Sequence, residues 1–470
     1  MAEIVDRKLI NELTEREEKR LQEQTPKSAK LFERAAKSLV NGVSSSYQVR
    51  DPYPVYFTRG KGSRIWDVDG REISDFHNAF GCMVQGHAHP AIVDAVTKRM
   101  KDGSQFSLPT EDSVIVAEHL AKNFKLPLWR FPNSGSEATM DAIRIARAAT
   151  GRDTIVKIFG SYHGHHDYVM VAIGGVEFEN RGPRDNYRST SYGAGIPQCS
   201  VDMTIPVPFN DAEAMESRIE RLEAEGRKPA CVIMEAAMMN LGVVLPEPGY
   251  LEKVRAITAK HDIVLIFDEV KTGVCTAPGG AVERFGVVPD MVTMAKALAG
   301  GLPAGAIGMT EEISKVVSNG AVFQVGTYNG NPLCMVAARA SMEDVMTPEA
   351  YKHLDKINDQ LIAQCDAVCD KYNFPGYTVG ISSKGCVNFT TAQITDYESF
   401  HENQDMELCS LAWLYNINRG VIMAPGRDEE WTLSVSHNEE DVARYVGAFE
   451  DLVRDVSPGL LVKKSESELA

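Results

Sequence analysis

Helical and strand-like patterns of apolar residues alternate through the middle of the chain. From about residue 90 to residue 340, stretches of helical periodicity are separated by short apolar runs rich in β-branched residues. The clearest runs are 154–159, 230–234 and 263–267. This alternation predicts βαβ units around a buried, mostly parallel sheet. We therefore expect an α/β fold whose large, doubly wound domain spans residues 86–345.

The two ends of the chain show other patterns. Residues 4–40 are rich in Glu, Lys, Leu and Ala and are interrupted by Pro26, which predicts a helical arm of two helices with a break. A strand-rich stretch follows, with hairpin turn chemistry at Asp69-Gly70. After Pro348 a helix, alternating strand signals and a last helix predict a smaller α+β domain. We predict three parts. Residues 1–85 form an N-terminal helical arm and strands that join the small domain, residues 86–345 form the large domain, and residues 346–470 form the C-terminal small α+β domain.

Composition and charge limit the classes of function open to this chain. The chain has 470 residues, of which 44% are apolar and 24% charged, so it can bury a large core, and disorder and fibrous repeats are excluded. Its formal charge is 49 − 65 = −16, which argues against nucleic acid or anionic membrane as partners but leaves room for a local basic pocket that takes a small anion. Without a long apolar run or a secretory signal, we expect a cytoplasmic protein.

The nine cysteines give no sign of a metal centre or a disulfide framework. They are scattered and contain no CxxC pair. Cys365 and Cys369 lie four residues apart in a predicted helix, where we expect two small buried side chains.

Three segments directly follow predicted strands, where ligands bind in open parallel sheets. In the first, a short strand leads through Ser134, Gly135 and Ser136 into a helix whose free N–H groups would hold a phosphate. Ordinary helix capping by Ser134 or Ser136 explains the same residues.

In the second segment, the apolar run 263–267 ends in Asp268 and Glu269. An acid at this point can meet a cation in the cleft. A solvated acid, or a cap for the next helix, is the alternative.

In the third segment, Lys296 follows a buried run and precedes a glycine-rich stretch. Desolvation favours the neutral amine that Schiff-base chemistry needs, whereas a lysine that reaches the surface is the alternative. A phosphate cradle, an acid and a buried lysine in this order fit one cofactor, pyridoxal 5′-phosphate (PLP).

The chain resembles class III aminotransferases of the PLP superfamily typified by aspartate aminotransferase, over about residues 42–453. Within that class it is most similar to glutamate-1-semialdehyde 2,1-aminomutase and to transaminases of aromatic α- and β-amino acids. The resemblance rests on the words Trp66-Asp-Val-Asp-Gly, Gly86-His-Ala-His-Pro, Asn133-Ser-Gly-Ser-Glu-Ala-Thr-Met, Tyr162-His-Gly-His, Phe267-Asp-Glu-Val, Met294-Ala-Lys-Ala-Leu-Ala-Gly-Gly-Leu-Pro-Ala-Gly and Gly326-Thr-Tyr-Asn-Gly-Asn-Pro.

The resemblance implies an aspartate-aminotransferase-like fold and a role for each matched residue. Lys296 would form the Schiff base with the cofactor, and Asp268 would hold the pyridine nitrogen protonated. Val270 and Tyr162 would pack on opposite faces of the cofactor ring. Lys296, Asp268 and Tyr162 are the expected catalytic residues. Thr327 would reach the phosphate of the neighbouring subunit, so an active homodimer is expected. The remaining cofactor contacts it implies are Ser134, Gly135, Ser136, His163, Glu235 and Asn240.

The histidine-rich run 162–166 also raises the alternative of a metal site. No carboxylate or thiolate stands at a known ligand spacing from it, so we expect no metal. His87 and His89 are expected to be structural, near the mouth of the cleft.

The sequence departs from the aminomutase at two places. Ala236 follows Glu235 where the class has proline, and Gln48 stands where the aminomutase has an arginine, with Arg50 two residues later. The resemblance also implies two substrate residues. Phe80 falls at an aromatic pocket position of the family, and Arg427 lies within one residue of an arginine that binds the substrate carboxylate in the aromatic β-amino acid enzymes. A surface pair of Arg427 with Asp428 or Glu429 is the alternative.

Together these patterns predict a transaminase that moves an amino group from an amine donor to an oxo acceptor in a ping-pong cycle. An isomerase on the same cofactor, either the aminomutase or a racemase, is the first alternative. A non-catalytic scaffold is the second.

Overall fold

The computed structural model describes residues 2–174, 178–425 and 431–462. The helices in these ranges are α1 (Arg7–Gln24), α2 (Pro26–Ala35), α3 (Asn78–Gly81), α4 (Pro90–Asp102), α5 (Glu111–Phe124), α6 (Gly135–Thr150), α7 (Gln198–Met203), α8 (Ala212–Ala224), α9 (Tyr250–Lys260), α10 (Gly280–Phe285), α11 (Glu311–Ser318), α12 (Pro332–Ala340), α13 (Pro348–Lys371), α14 (Tyr397–Asn403), α15 (Met406–Asn418) and α16 (Glu439–Val456). The strands are β1 (Phe57–Lys61), β2 (Arg64–Asp67), β3 (Glu72–Asp75), β4 (Leu128–Arg130), β5 (Ile155–Ile158), β6 (Thr204–Val207), β7 (Cys231–Met234), β8 (Val264–Asp268), β9 (Met291–Met294), β10 (Ala306–Met309), β11 (Tyr377–Ile381), β12 (Lys384–Asn388), β13 (Val421–Ile422) and β14 (Trp431–Thr432).

A seven-stranded sheet forms the centre of the molecule, in the order β4-β10-β9-β8-β7-β5-β6. The five strands from β6 to β9 pair in parallel, whereas β10 pairs antiparallel with both β9 and β4. The predicted α/β fold with a mostly parallel sheet is confirmed. Every residue of β5 to β9 is buried, which is why these strands read as continuous apolar runs.

Helix α6 fixes the position of the predicted phosphate cradle against this sheet. Its small residues Ala138, Ala142 and Ala146 are fully buried and share a core cluster with Ile233 of β7 and Ile266 of β8. Alanines at this spacing let the helix axis approach the sheet closely, so the first turn of α6 lies at the end of the central strands.

Two smaller sheets contain the strands predicted near the chain ends. The first has the order β1-β2-β3-β13, and β2 and β3 pair antiparallel around the predicted turn at Asp69-Gly70. Because β13 pairs in parallel with β3, the N-terminal strands share a sheet with the C-terminal part of the chain. The second sheet has the order β11-β12-β14. The division of the chain into domains at residues 85 and 345 stays a prediction.

The N-terminal helices break at Pro26, as predicted, but α1 is more than an arm. It buries Ile10, Leu13 and Leu21, and its buried Glu17 accepts hydrogen bonds from Asn418 Nδ2 at 2.9 Å and Arg419 Nη1 at 3.2 Å. Helix α1 is therefore anchored on α15. Across the described ranges, no helix combines the length and apolar content needed to cross a bilayer.

Trp431 holds the three-stranded sheet to the helix α13, and we expect its replacement by alanine to destabilise the fold. Its side chain is fully buried, packs on Tyr445 with ring centroids 5.5 Å apart, and donates from Nε1 to Asn358 Oδ1 at 2.8 Å. Trp431→Ala should lower the free energy of unfolding by about 3–5 kcal/mol, measured by urea denaturation. The control is Val40→Ala, since Val40 is 85% exposed and its truncation should change little.

Candidate functional site

The predicted functional segments meet at one edge of the central sheet. Strand β5 leads to Tyr162 and His163, β7 to Glu235, β8 ends at Asp268, and β9 leads to Lys296. Because these strands are parallel, their carboxyl ends lie side by side.

The first turn of α6 presents unpaired N–H groups. Ser134 is the N-cap, and its Oγ accepts from Glu137 N at 3.2 Å, so the capping alternative holds for this residue. The backbone N–H groups of Gly135 and Ser136 make no hydrogen bond to any described residue. Two such donors at a helix N-terminus suit an anion such as a phosphate.

Gly135 brings this cradle into contact with the strand ends. A Cβ atom on Gly135 would lie 3.0 Å from both Cγ atoms of Val270 and 3.5 Å from Cβ of Ala295, the residue before Lys296. A larger residue at Gly135 would therefore push Val270 away from the helix.

Asp268 is buried in a network of three donors. Its Oδ2 lies 2.7 Å from His163 Nδ1, and its Oδ1 accepts from Val270 N at 2.9 Å and from Thr293 Oγ1 at 3.3 Å. Burial lowers the pKa of His163 from its ordinary value of 6.5, although the neighbouring Asp268 opposes this shift. His163 is thus neutral and donates its Nδ1 proton to Asp268. A carboxylate has about four acceptor positions, so Asp268 keeps one for a further donor.

The adjacent acid points elsewhere. Glu269 accepts from Ala281 N and Val282 N, both at 2.9 Å, and so caps α10. Burial raises the pKa of Glu269 to about 7, against the effect of these donors. Of the two acids at the end of β8, Asp268 belongs to the site and Glu269 to the scaffold.

Lys296 begins a short 3₁₀ turn, Lys296–Ala299, directly after β9. It has a positive φ of 47°, which is uncommon for a residue with a side chain and marks local strain. Lys296 is half-buried, and it directly follows Ala295, the residue that lies close to Gly135.

The 162–166 segment folds over the start of α6. A Cβ atom on Gly164 would lie 2.8 Å from Ser136 Cα, and His165 N donates to Ser136 Oγ at 3.2 Å. Tyr162, at the start of the segment, is 37% exposed. Ser136 therefore binds this loop through its hydroxyl and leaves its own N–H to the cradle.

Glu235 and Asn240 form a buried turn beside β8. Glu235 accepts from Asn240 Nδ2 at 3.0 Å and from Met239 N at 3.3 Å, and Lys271 Nζ donates to Met239 O at 2.9 Å. Met238 and Val244 exchange two backbone hydrogen bonds of 2.9 Å. These bonds fix the turn where the family has a proline and this chain has Ala236.

Phe80 lies in an unusual backbone turn. The four residues Asn78 to Gly81 all have positive φ values, from 44° to 92°. Asn78 supports the turn by donating from Nδ2 to Asp75 O and Thr432 O, at 2.8 and 2.5 Å, and its carbonyl accepts from Met83 N at 3.1 Å. Such strain persists only where the surroundings impose it, and it is typical of functional sites.

The turn holds the Phe80 ring in an aromatic group close to β8. The rings of Tyr47 and His77 meet it edge-on, with centroids 5.4 and 4.3 Å away, and Lys271 Nζ lies 5.5 Å from its centroid. Since Lys271 follows Val270, Phe80 is close to the predicted ring site.

The other predicted contacts are placed differently. Thr327 is exposed, and its carbonyl accepts from Gln105 Nε2 at 2.6 Å. Gln48 folds back so that its Oε1 accepts from Ser44 N and Ser45 N, both at 3.1 Å. Arg50 lies over the ring of Trp413 at 5.9 Å. Arg427 lies outside the described residues.

The histidines of the 162–166 segment have other partners than a metal. His163 bonds to Asp268, and His166 Nε2 lies 3.3 Å from Thr139 Oγ1. Within the described ranges, the group with metal-like spacing is Glu216, Glu220 and His261, on α8 and at the end of α9, where the ammonium of Lys260 already lies 2.8 Å from Glu216.

Sequence reasoning missed two residues of the site. Thr293 donates to Asp268 from the neighbouring strand β9, and Lys271 ties β8 to the 235–240 turn. Thr293 stands inside an apolar run at a position that faces β8, so a buried polar residue within that run was the available signal.

The chain is similar to known proteins over most of its length. The family model "Aminotransferase class-III" matches residues 46–401. Glutamate-1-semialdehyde 2,1-aminomutase from Methanocaldococcus jannaschii is 38% identical over 91% of this chain and 97% of that protein. An omega-transaminase from Sphaerobacter thermophilus superposes with a TM-score of 0.85 at 33% identity, over 91% of this chain and 97% of that one. A glutamate-1-semialdehyde-aminomutase variant from Pseudomonas aeruginosa PAO1, in complex with PMP, gives a TM-score of 0.88 at 28% identity, over 96% and 99%.

The chain belongs to the class III aminotransferase family. It is a PLP-dependent aminotransferase with pyridoxal 5′-phosphate as its cofactor. The residues present fit this cofactor, because the unpaired N–H groups of Gly135 and Ser136 suit its phosphate and the remaining acceptor position of Asp268 suits its ring nitrogen.

The buried His163 predicts how stability depends on pH. The unfolded chain binds a proton on this histidine below about pH 6.5, whereas the lowered pKa means that the folded chain binds it only at a lower pH. The free energy of unfolding therefore falls as the pH drops below about 6.5 and through the lowered pKa. We expect His163→Asn, which keeps a donor for Asp268, to reduce this slope by up to about 1.4 kcal/mol per pH unit. Urea unfolding at several pH values measures the slope. The control is His165→Asn. His165 is exposed, so this substitution should leave the slope unchanged.

Proposed function

We propose that this aminotransferase moves an amino group between two separate substrates, an amine or amino acid donor and an oxo acceptor, in a ping-pong cycle that uses Lys296. The observation that carries the proposal is the convergence of the α6 cradle, the Asp268–His163 pair and Lys296 at one edge of the sheet. The scaffold alternative does not account for a buried, neutral histidine that orients the carboxylate.

PLP, when bound, supplies an aldehyde that condenses with amines and a ring that accepts electrons. The residues of the chain would then act as follows. Gly135 and Ser136 would bind the phosphate through their N–H groups, and Val270 would set the depth of the ring through its contact with Gly135. Asp268, held by His163, would keep a proton on the ring nitrogen.

Lys296 would serve first as the amine that binds the aldehyde and then as a base. As a base, its Nζ would hold and move the proton of the donor carbon. Tyr162 would cover the second ring face and exclude water. Asn240, which Glu235 orients, would contact the ring 3-oxygen.

Two residues are proposed substrate contacts. Phe80 would pack on an apolar part of the substrate, because the left-handed turn holds its ring beside Tyr47 and His77. Arg427 would bind a carboxylate.

A second candidate function is intramolecular amino transfer, as in the aminomutase. The 38% identity to the enzyme of Methanocaldococcus jannaschii favours it. The N-terminal segment speaks against it, because Gln48 replaces the aminomutase arginine and uses its side chain to cap its own turn. We therefore place the transaminase first.

We also infer a homodimer with the site at the subunit interface. The Thr327 segment exposes Phe323, Val325 and Tyr328, which are 80%, 66% and 62% exposed, and the adjacent Leu108 is 72% exposed. Such an apolar surface suits a second copy of the chain, which would place Thr327 near the partner's cradle. The cytoplasmic location stays a prediction from the sequence.

The two candidate functions differ in what one substrate alone produces. In the visible spectrum of the holoenzyme, a donor without an acceptor should bleach the cofactor band and release about one oxo product per site, since a ping-pong cycle stops after its first half. Lys296→Ala should abolish this half-reaction.

An isomerase would instead convert one substrate over many turnovers with no second substrate present. Product formed in large excess over enzyme would therefore overturn the transaminase proposal in favour of the aminomutase.

A mixed dimer tests whether Thr327 acts across the interface. Lys296→Ala and Thr327→Asp homodimers should both be inactive, the second because a carboxylate repels the phosphate. In the mixed dimer, the subunit that keeps Lys296 would receive an intact Thr327 from its partner. Re-equilibrated equimolar subunits should thus regain about a quarter of wild-type activity. No recovery, with dimers present by size-exclusion chromatography, would contradict a site shared between subunits.

A further inference from the structure

A cavity opens at the end of the central sheet opposite to the cofactor site. It has a volume of about 890 Å³ and lies beside Asp153 and Thr154, which precede β5, and Ile205 of the edge strand β6. The cofactor segment 160–163 follows the other end of β5. Four residues of strand, about 13 Å, separate the two ends, so the cavity is a separate site.

Three arginines line this cavity, namely Arg188, Arg218 and Arg227. Arg227 has partners, since its Nη2 donates to Asp202 O at 2.5 Å and its Nη1 lies 3.5 Å from Glu225 Oε2. Among the described residues, neither Arg188 nor Arg218 forms a salt bridge, and Nε of Arg218 is buried without a hydrogen bond. A buried guanidinium donor without a partner is unfavourable, so Arg218 suits an anion. Arg188, which is exposed on the same cavity wall, offers a second guanidinium to that anion.

The surrounding charges strengthen this argument. The chain carries 16 more acidic than basic residues, yet here arginines outnumber the acids that line the cavity, Asp153 and Asp202. Asp202 Oδ1 already accepts from Gln198 Nε2 at 2.8 Å. Burial lowers the pKa of Arg218, and the like charges of Arg221 and Arg227 add to this, against the opposing charges of Glu225 and Asp185. A bound anion would relieve this repulsion.

We propose that this cavity, which we call the arginine pocket, binds a small organic anion with two or more negative charges, carried on carboxylate or phosphate groups. The planar fork of Arg188 and Arg218 matches the oxygens of either group. Met203 and Ile205 offer an apolar wall for the body of the molecule. The volume lies within the range of small-molecule sites, and the opening to solvent suits a reversibly bound ligand.

Cys199 provides a local readout because it lines the pocket and is exposed. The other eight cysteines are buried or half-buried, so neutral iodoacetamide should react with Cys199 first. The experiment uses the PLP-saturated holoenzyme, in which the cofactor phosphate already fills the α6 cradle. Inorganic phosphate and citrate are the probes, with sodium chloride at matched ionic strength. Mass spectrometry follows the alkylation of Cys199.

Phosphate, citrate or both should slow the alkylation of Cys199 in a saturable way, and sodium chloride should not. The variant Arg188→Gln/Arg218→Gln should weaken this protection about tenfold or more, since it removes two charge-assisted contacts. The control Arg20→Gln/Arg454→Gln removes two exposed arginines outside the pocket, with the same charge change, and should protect like the wild type.

The proposal would be overturned if the anions protected Cys199 equally well in the double variant and the wild type. It would also be overturned if the protection in the wild type did not saturate with anion concentration. The cofactor absorption band and circular dichroism show whether the double variant folds. If it does not, Arg188→Gln alone gives the answer, because Arg188 is exposed and its replacement leaves the fold intact.

Discussion

The hydrogen bond between His163 Nδ1 and Asp268 Oδ2 is the interaction on which the site depends. It joins the segment after β5 to the end of β8, across the intervening strand β7, in a place closed to water. The bond makes His163 a donor in its neutral form and leaves the Asp268 carboxyl group with one acceptor position to spare. In a buried site such a network keeps its geometry because breaking the bond would leave the buried carboxylate of Asp268 without one of its three donors.

A close contact between the start of α6 and the segment after β8 also shapes the site. A methyl group at Gly135 would lie 3.0 Å from Val270, so Val270 would have to shift by a few tenths of an ångström, and Ala295 is the next neighbour. The helix start, the segment after β8 and the residue before Lys296 thus lie in close contact. Catalysis by positioned groups requires this, since a shift of about 1 Å in a reacting atom lowers rates strongly. The left-handed turn at residues 78–81 likewise fixes the backbone that carries Phe80.

The central sheet also separates two electrostatic environments. Its carboxyl end holds a carboxylate, neutral imidazole and helix N–H groups, whereas its amino end at β5 and β6 holds guanidinium groups. Net charge therefore says little about local binding in this chain. An overall charge of −16 coexists with a pocket where positive groups dominate, because pairing and burial decide the local potential.

Sequence patterns were sufficient for the fold class and for the order of the functional segments. The buried strands read as apolar runs, and parallel strands must align their carboxyl ends, so the convergence of Asp268, Lys296 and the α6 start was predictable. The role of each neighbouring acid was not, because Asp268 and Glu269 differ only in the direction that the strand end gives them. The burial that keeps His163 neutral and the arginine pocket likewise arise from residues far apart in the chain. Only tertiary structure decides these features, since burial and the loss of solvent screening depend on which segments pack together.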